Sequence, residues 1–169
     1  MTPRPATIDD VNMLARVHVQ AWQEAYPGLL PAAEIAVRTF EKRQFLWARV
    51  LSKDHGRVWL IEDKGFAHIG PQREVLWRGQ GYPEELYAMY LIRDGYGLGR
   101  PLLEAAFGPG GRPFTACVLD GNARACAFYE KSGGQLLMTR EEMVGASPVV
   151  ERVYGWTGRP FASGRTNMV

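Results

Sequence analysis

Apolar positions along the chain switch between a helical period of about 3.6 and the alternation of strands, and the switches mark out the elements. Val11, Leu14, Ala15, His18, Val19 and Trp22 predict a helix that starts near Asp10, with Thr7 or Asp9 as its cap, and stops before Pro27-Gly28. His18 reads as a packed or partly exposed side chain on that stripe rather than a catalyst. Trp22, Tyr26, Leu29 and Leu30 form an apolar corner, read as helix packing or as the wall of a pocket. Pro31 opens a second helix, and Phe40 to Leu51 a third that mixes apolar and basic residues. Val58 to Ile61 and Phe66 to Ile69 predict a hairpin turning at Asp63-Lys64-Gly65. Gln72 to Pro83, polar and Gly-containing, predicts a long loop.

The second half repeats strand and helix. Tyr87 to Ile92 form a strand, and Leu98, Leu102, Leu103 and Ala106 a helical face. After the Gly108 to Pro113 loop come the strand Phe114 to Leu119 and a helix from Asn122 that Gly133 ends. Gln135 to Arg140 and Val149 to Trp156 predict a last strand pair. No repeat or linker divides the chain, so residues 1–156 are expected to form one domain. Residues 157–169, rich in Gly, Arg, Ser and Pro, are expected to be a poorly ordered tail.

Composition narrows the function classes. At 169 residues with 46% hydrophobic and 22% charged residues, the chain can bury a full core without staples. A net charge of +2 gives no footprint for nucleic acid. Three scattered histidines and two cysteines show no metal-ligand spacing and no disulfide framework; Cys117 and Cys126 read as small apolar core residues. No run reaches membrane-spanning length, and MTPRPATIDD lacks the core of a signal peptide, so a soluble cytoplasmic protein is expected.

The chemistry concentrates where the Tyr87 strand meets the Leu98 helix. Gly95, Gly97 and Gly99 break the strand, and a strand, glycine loop and helix start can bind phosphate through unpaired N–H groups and the helix dipole. Arg100 follows, and Pro101 sits in the first turn, where proline is tolerated. The same glycines could instead make a tight turn that binds nothing. The spacing is neither that of a dinucleotide fingerprint nor that of a Walker loop.

Three motifs in order resemble the GNAT N-acetyltransferase superfamily. Asn122 to Gly134, N-A-R-A-x-x-F-Y-E-K-x-G-G, is similar to the family helix beside the coenzyme A thiol. Gly95-Tyr96-Gly97-Leu98-Gly99-Arg100 resembles the acetyl-CoA pyrophosphate loop, and Glu85 to Leu91 the strand before it. A-W-Q-E-A-Y-P-G-L-L-P looks like the opening helices of a bacterial branch, so the resemblance covers about residues 4 to 156. Asp94 stands where the family has Gln or Arg, and Ile92 to Asp94 is about two residues short. That anion is expected to weaken binding of a diphosphate.

The resemblance implies an α/β (α+β) fold, with a mixed, mostly antiparallel sheet of about six or seven strands and helices on both faces. It implies transfer of an acetyl group from acetyl-CoA to a primary amine of a small molecule or peptide, by direct attack and without a metal. The alternative is a GNAT-fold module that binds CoA without catalysis. Met89, Tyr90 and Leu91 are then expected to hold the pantetheine arm, and Gly95, Tyr96, Gly97, Leu98, Gly99 and Arg100 the diphosphate. Asn122 is expected to bind coenzyme, to cap its helix, or both. Tyr129 is the expected general acid, its phenol pKa of about 10 lying not far above a thiol's 8.5. Glu85 reads equally as the base, through water, or as an exposed strand glutamate. Trp22, Tyr26 and Arg73 are expected to line the amine pocket, with Trp77 and Tyr82 in the same aromatic wall. The partners implied are acetyl-CoA and an amine, with no nucleic acid or membrane; a homodimer stays open.

Overall fold

Asp63 adopts a left-handed conformation (φ 56°) and folds the chain back between β2, Arg57–Ile61, and β3, Gly65–Pro71. That hairpin begins the sheet in a computed structural model that describes residues 1–162. Ahead of it come β1 (Arg4–Pro5), α1 (Val11–Ala25), α2 (Ala32–Ala36) and α3 (Phe40–Ser52). After it come α4 (Val75–Gly79), β4 (Glu84–Leu91), α5 (Gly99–Phe107), β5 (Phe114–Leu119), α6 (Ala123–Lys131), β6 (Gln135–Val144) and β7 (Ser147–Trp156).

The seven strands lie in the order β1-β2-β3-β4-β5-β7-β6. Neighbours are antiparallel except β4 and β5, which run parallel because α5 carries the chain across between them. The expected mixed, mostly antiparallel sheet with helices on both faces is therefore the observed one. Leu14, Ala15 and Val17 of α1 and Trp47 of α3 bury against Leu60 and Phe66 on one face. Leu102, Leu103 and Ala106 of α5, the predicted helical face, bury against Ile61, Ile69 and Phe114 on the other. Each large apolar side chain so buried contributes about 1.5–3 kcal/mol before its entropy cost.

The expected elements form, with three differences. Val75–Gly79 is a short helix inside the expected Gln72 to Pro83 loop, seated by Trp77, which buries with Tyr82 and Val153. The final hairpin is longer than the predicted pair. Gly145 (φ 59°) makes its turn, and residues 141–144 and 147–148, whose charged and polar members break the apolar alternation, carry the ladder up to it; Arg140 donates to Glu151 across the ladder (2.8 Å) and to Glu74 at the start of α4 (2.7 Å). β1 is two residues long, too short for any period to appear. Beyond β7 the Phe161 N–H donates to the Ser132 carbonyl at 2.7 Å and its ring meets Phe128 at 5.8 Å. The remainder of the expected tail, 163–169, lies outside the described residues. Among the described residues, no helix is long and apolar enough to cross a membrane.

Candidate active site

β4 is pinned at one end and free on one side at the other. Glu84, Glu85 and Leu86 pair with Phe114, Thr115 and Ala116 of β5, and there the ladder stops. The buried Glu84 carboxylate holds Arg57 at 2.8 Å and the Arg112 N–H at 3.1 Å. Gln72 donates to the Thr115 hydroxyl at 2.8 Å, which ties β3 to β5 across the same end. Beyond it, His68 of β3 pairs with Ala88 but Ile69 pairs with Leu86, so Tyr87 is an extra residue in the ladder. Such a bulge bends its strand. β4 then diverges from β5, and the backbone of Met89, Tyr90 and Leu91 has no β5 partner. The gap offers an unpaired strand edge to an extended ligand.

The glycine loop follows at the open end, with a single 3-10 turn at Arg93–Gly95. Three alternate glycines answer three different needs. A Cβ on Gly95 would lie 3.0 Å from the Lys64 carbonyl oxygen, and one on Gly99 would lie 2.8 Å from the Phe128 ring. Gly97 has open space around it but a φ of 100°, where a side chain is strained. Among the described residues, the N–H groups of Gly97, Gly99 and Arg100 meet no acceptor; the last two open α5 behind its cap, Leu98. Tyr96 is half exposed, and the Arg124 guanidinium lies 3.4 Å from its ring centroid. Arg100 pairs with Glu104 at 2.7 Å. Asn122 caps α6 by accepting the Ala125 N–H at 3.2 Å. Asp94, whose charge was expected to oppose an anion, is paired with the Lys64 ammonium on the neighbouring hairpin.

Tyr129 and Tyr90 pack on opposite faces of the sheet beside the gap, and Tyr26 stands behind Tyr90. Tyr129 of α6 is buried, its ring 5.4 Å from Trp156 and 6.0 Å from Tyr154. Burial above all, then the neighbouring Tyr90, Cys117 and Cys126, hold its phenol well above the usual range, so it is protonated at neutral pH. Tyr90 points to the other face, where its hydroxyl lies 2.9 Å from that of Tyr26. Burial pushes the Cys117 thiol up to about 12, which makes it a poor nucleophile.

Next to Tyr90, between α1, α3 and the sheet, lies a cavity of about 650 Å3. Trp22, Trp47, Val50, His68, Tyr87 and Arg73 are among its walls. Of the three residues expected there, Trp22 and Arg73 line it, while Tyr26 stands behind Tyr90. Trp77 and Tyr82 do not: they bury in a separate cluster against Val153. Glu85 is neither exposed nor free. It is buried and accepts from Arg73 three times, at Nη2 (2.6 Å), Nε (3.2 Å) and the backbone N–H (3.2 Å). A carboxylate so engaged holds an arginine better than it takes a proton.

His18 is packed as expected, accepting the Trp47 indole N–H at Nδ1 (3.2 Å) and stacking on Tyr90 at 5.3 Å. Burial, with Arg43 nearby, pushes it down to about 2, so it is neutral. The cavity residue that sequence reasoning missed is Arg43. Its Nε and Nη2 are buried with no partner among the described residues, and burial lowers it to about 10. The available signal was its place four residues before the buried Trp47, which sets a cation on the packed face of α3. Among the described residues, no group of three or more His, Cys, Asp or Glu stands where it could hold a metal.

No family model matches the chain. It is 32% identical over 110 residues, covering 61% of its length, to an uncharacterized N-acetyltransferase of Bacillus subtilis, YuaI. The match spans 60% of that relative. The fold matches a GCN5-related N-acetyltransferase from Rhodopseudomonas palustris with a TM-score of 0.70 over 92% of this chain and 94% of that one, at 17% identity. It matches the PaiA N-acetyltransferase of Thermoplasma acidophilum, solved in complex with coenzyme A, with a TM-score of 0.64 over 89% and 98%, at 18% identity. It also matches a ribosomal-protein-alanine N-acetyltransferase from Brucella melitensis with a TM-score of 0.65 over 93% and 99%, at 21% identity. With its diverging central strands, the glycine loop at their open end and these likenesses over nearly its whole length, the chain has the fold of the GNAT N-acetyltransferase superfamily.

Proposed function

We propose that the protein is an N-acetyltransferase that uses acetyl-CoA and a primary amine. The observation that carries this reading is the unpaired edge of Met89 to Leu91 leading directly into free N–H groups at Gly97, Gly99 and Arg100. A strand edge suits the amides of a pantetheine arm, and clustered N–H groups at a helix start suit a diphosphate, so the residues present fit the cosubstrate. The coenzyme complex of the similar PaiA protein supports the same ligand. Lys64 neutralises Asp94 and so relieves the repulsion expected of it.

Acetyl-CoA, when bound, supplies an acetyl thioester that an amine can attack, forming an amide as the carbon–sulfur bond breaks. In this reading the backbone N–H groups of β4 beyond Leu86 offer donors to developing oxyanion charge. Tyr129 donates its proton toward the sulfur end of the gap; burial raises its phenol and so makes it a weaker acid than a free tyrosine, and the transfer rests on position rather than on a matched pKa. Glu85 was expected as the base or as an exposed strand glutamate; its three bonds to Arg73 support a positioning role instead, and the amine proton passes to solvent. The cavity beside Tyr90 receives the amine, so that positioning contributes much of the rate.

Titration calorimetry with acetyl-CoA, followed by thiol release against a panel of amines, tests the proposal. Saturable binding and amine-dependent thiol release are expected. Binding with no turnover on any amine would leave a coenzyme-binding module, and no binding of any CoA species would overturn the reading altogether.

A further inference from the structure

Arg43 is the one cavity arginine without a counter-ion among the described residues. Arg73 holds Glu85, and Arg38, whose guanidinium also lies over the Trp22 ring, holds Glu34 at 3.2 Å. Arg43 stacks on that ring at 4.8 Å, yet its Nε and Nη2 are buried and meet no acceptor among the described residues. Those two nitrogens form one edge of the guanidinium, the same edge with which Arg73 grips the Glu85 carboxylate. A half-buried guanidinium with two buried, unmatched donors is costly unless something completes that edge. Asp54, also on the cavity wall, makes no ion pair with it, and His18 and His68 are held neutral by burial.

We infer that the cavity takes an amine that also bears a carboxylate or phosphate, and that the Nε/Nη2 edge of Arg43 anchors that anion. The inference rests on the acetyltransferase reading only for the amine; the anion anchor is a property of the cavity. Trp22, Trp47 and Val50 give the body of the ligand an apolar wall, and Tyr90 places that wall beside the gap between β4 and β5. A volume of about 650 Å3 is that of a small-molecule site, too small for a folded partner.

The test is calorimetry on the CoA-saturated protein with paired probes: phenylalanine against phenylalaninamide, and phosphoethanolamine against ethanolamine. At least one anionic member should bind tenfold or more tightly than its neutral partner, and the pair that shows this separates carboxylate from phosphate. Arg43→Gln should abolish the advantage, and Arg43→Lys should keep part of it. Equal affinity within both pairs, or no binding of any probe, would overturn the inference, as would an advantage that survives in folded Arg43→Gln protein. The wild-type comparison decides the matter even if a variant fails to fold. If the anionic advantage holds and depends on Arg43 while no amine releases thiol from acetyl-CoA, the anchor stands and the acetyltransferase reading falls.

Discussion

The hydroxyls of Tyr26 and Tyr90 lie 2.9 Å apart and join the end of α1 to the part of β4 that has left its neighbour. Burial raises both phenols, so the bond is between neutral groups. Tyr26→Phe should cost about 0.5–1.5 kcal/mol, the net worth of such a bond. The urea midpoint should fall accordingly, with the Kd for acetyl-CoA unchanged. A variant as stable as wild type would show that the bond contributes nothing to the fold.

Tyr129→Phe keeps the packing against Trp156 and Tyr154 and removes one proton donor. Single-turnover acetyl transfer should slow by about 10²–10⁴-fold, with acetyl-CoA affinity nearly unchanged. An unchanged rate in the folded variant would return Tyr129 to a packing role.

Gly97→Val and Gly99→Val should both raise the Kd for acetyl-CoA at least tenfold, about 1.4 kcal/mol, but for different reasons. At Gly99 the new side chain meets the Phe128 ring, so stability should fall by about 1–3 kcal/mol as well. At Gly97 there is room, and the cost is backbone strain at φ 100°. Tryptophan-monitored urea unfolding beside calorimetry separates loss of stability, expected in both variants, from loss of coenzyme affinity.

Asp94→Gln should tighten coenzyme binding by freeing the Lys64 ammonium to face a diphosphate, and Lys64→Met should weaken it. Both shifts should shrink as salt rises from low to physiological strength, because the pair is exposed on the Asp94 side. Weaker binding by Asp94→Gln would mean that the pair serves to hold the loop in shape.

His18 is neutral when folded and about 2 in pKa, against about 6.5 unfolded. The unfolded chain therefore binds the extra proton first. This contribution is complete above pH of about 6.5 and is lost progressively as pH falls below it, by at most about 1.4 kcal/mol per pH unit. Urea midpoints at pH 7 and pH 5 should show the loss, and His18→Asn, which retains an acceptor for Trp47, should flatten it. Equal slopes would assign the acid sensitivity elsewhere.

The elements that carry the fold were legible because each is a local pattern. The face of Leu98, Leu102, Leu103 and Ala106 and the run Phe114 to Leu119 became α5 and β5 with little adjustment. The strand, glycine loop and helix start around Gly95 to Gly99 were legible as local spacing, whereas Tyr129 entered only through the resemblance of its helix. What was not legible lies between segments. Glu85 was expected to be free, but Arg73 closes on it from another strand end, and the sequence carries no sign of that pairing. Lys64 and Asp94 meet only because two turns come side by side. In α3, apolar and basic residues alternate too closely for the helical period to sort them: Phe45 is exposed, whereas Arg43 turns inward beside Trp47.

The three-pair ladder between β4 and β5 has a consequence for the order in which the molecule is made. β1 to β4 are each paired with a chain neighbour, and all lie within the first 91 residues. During synthesis that half can assemble, with α1 and α3 packed on it, before any of the last three strands has been translated. The site has no such head start. Its far wall is β5, and Tyr129, proposed above as the proton donor, sits on α6, so the site comes into being only when the late half docks and β5 pairs with β4.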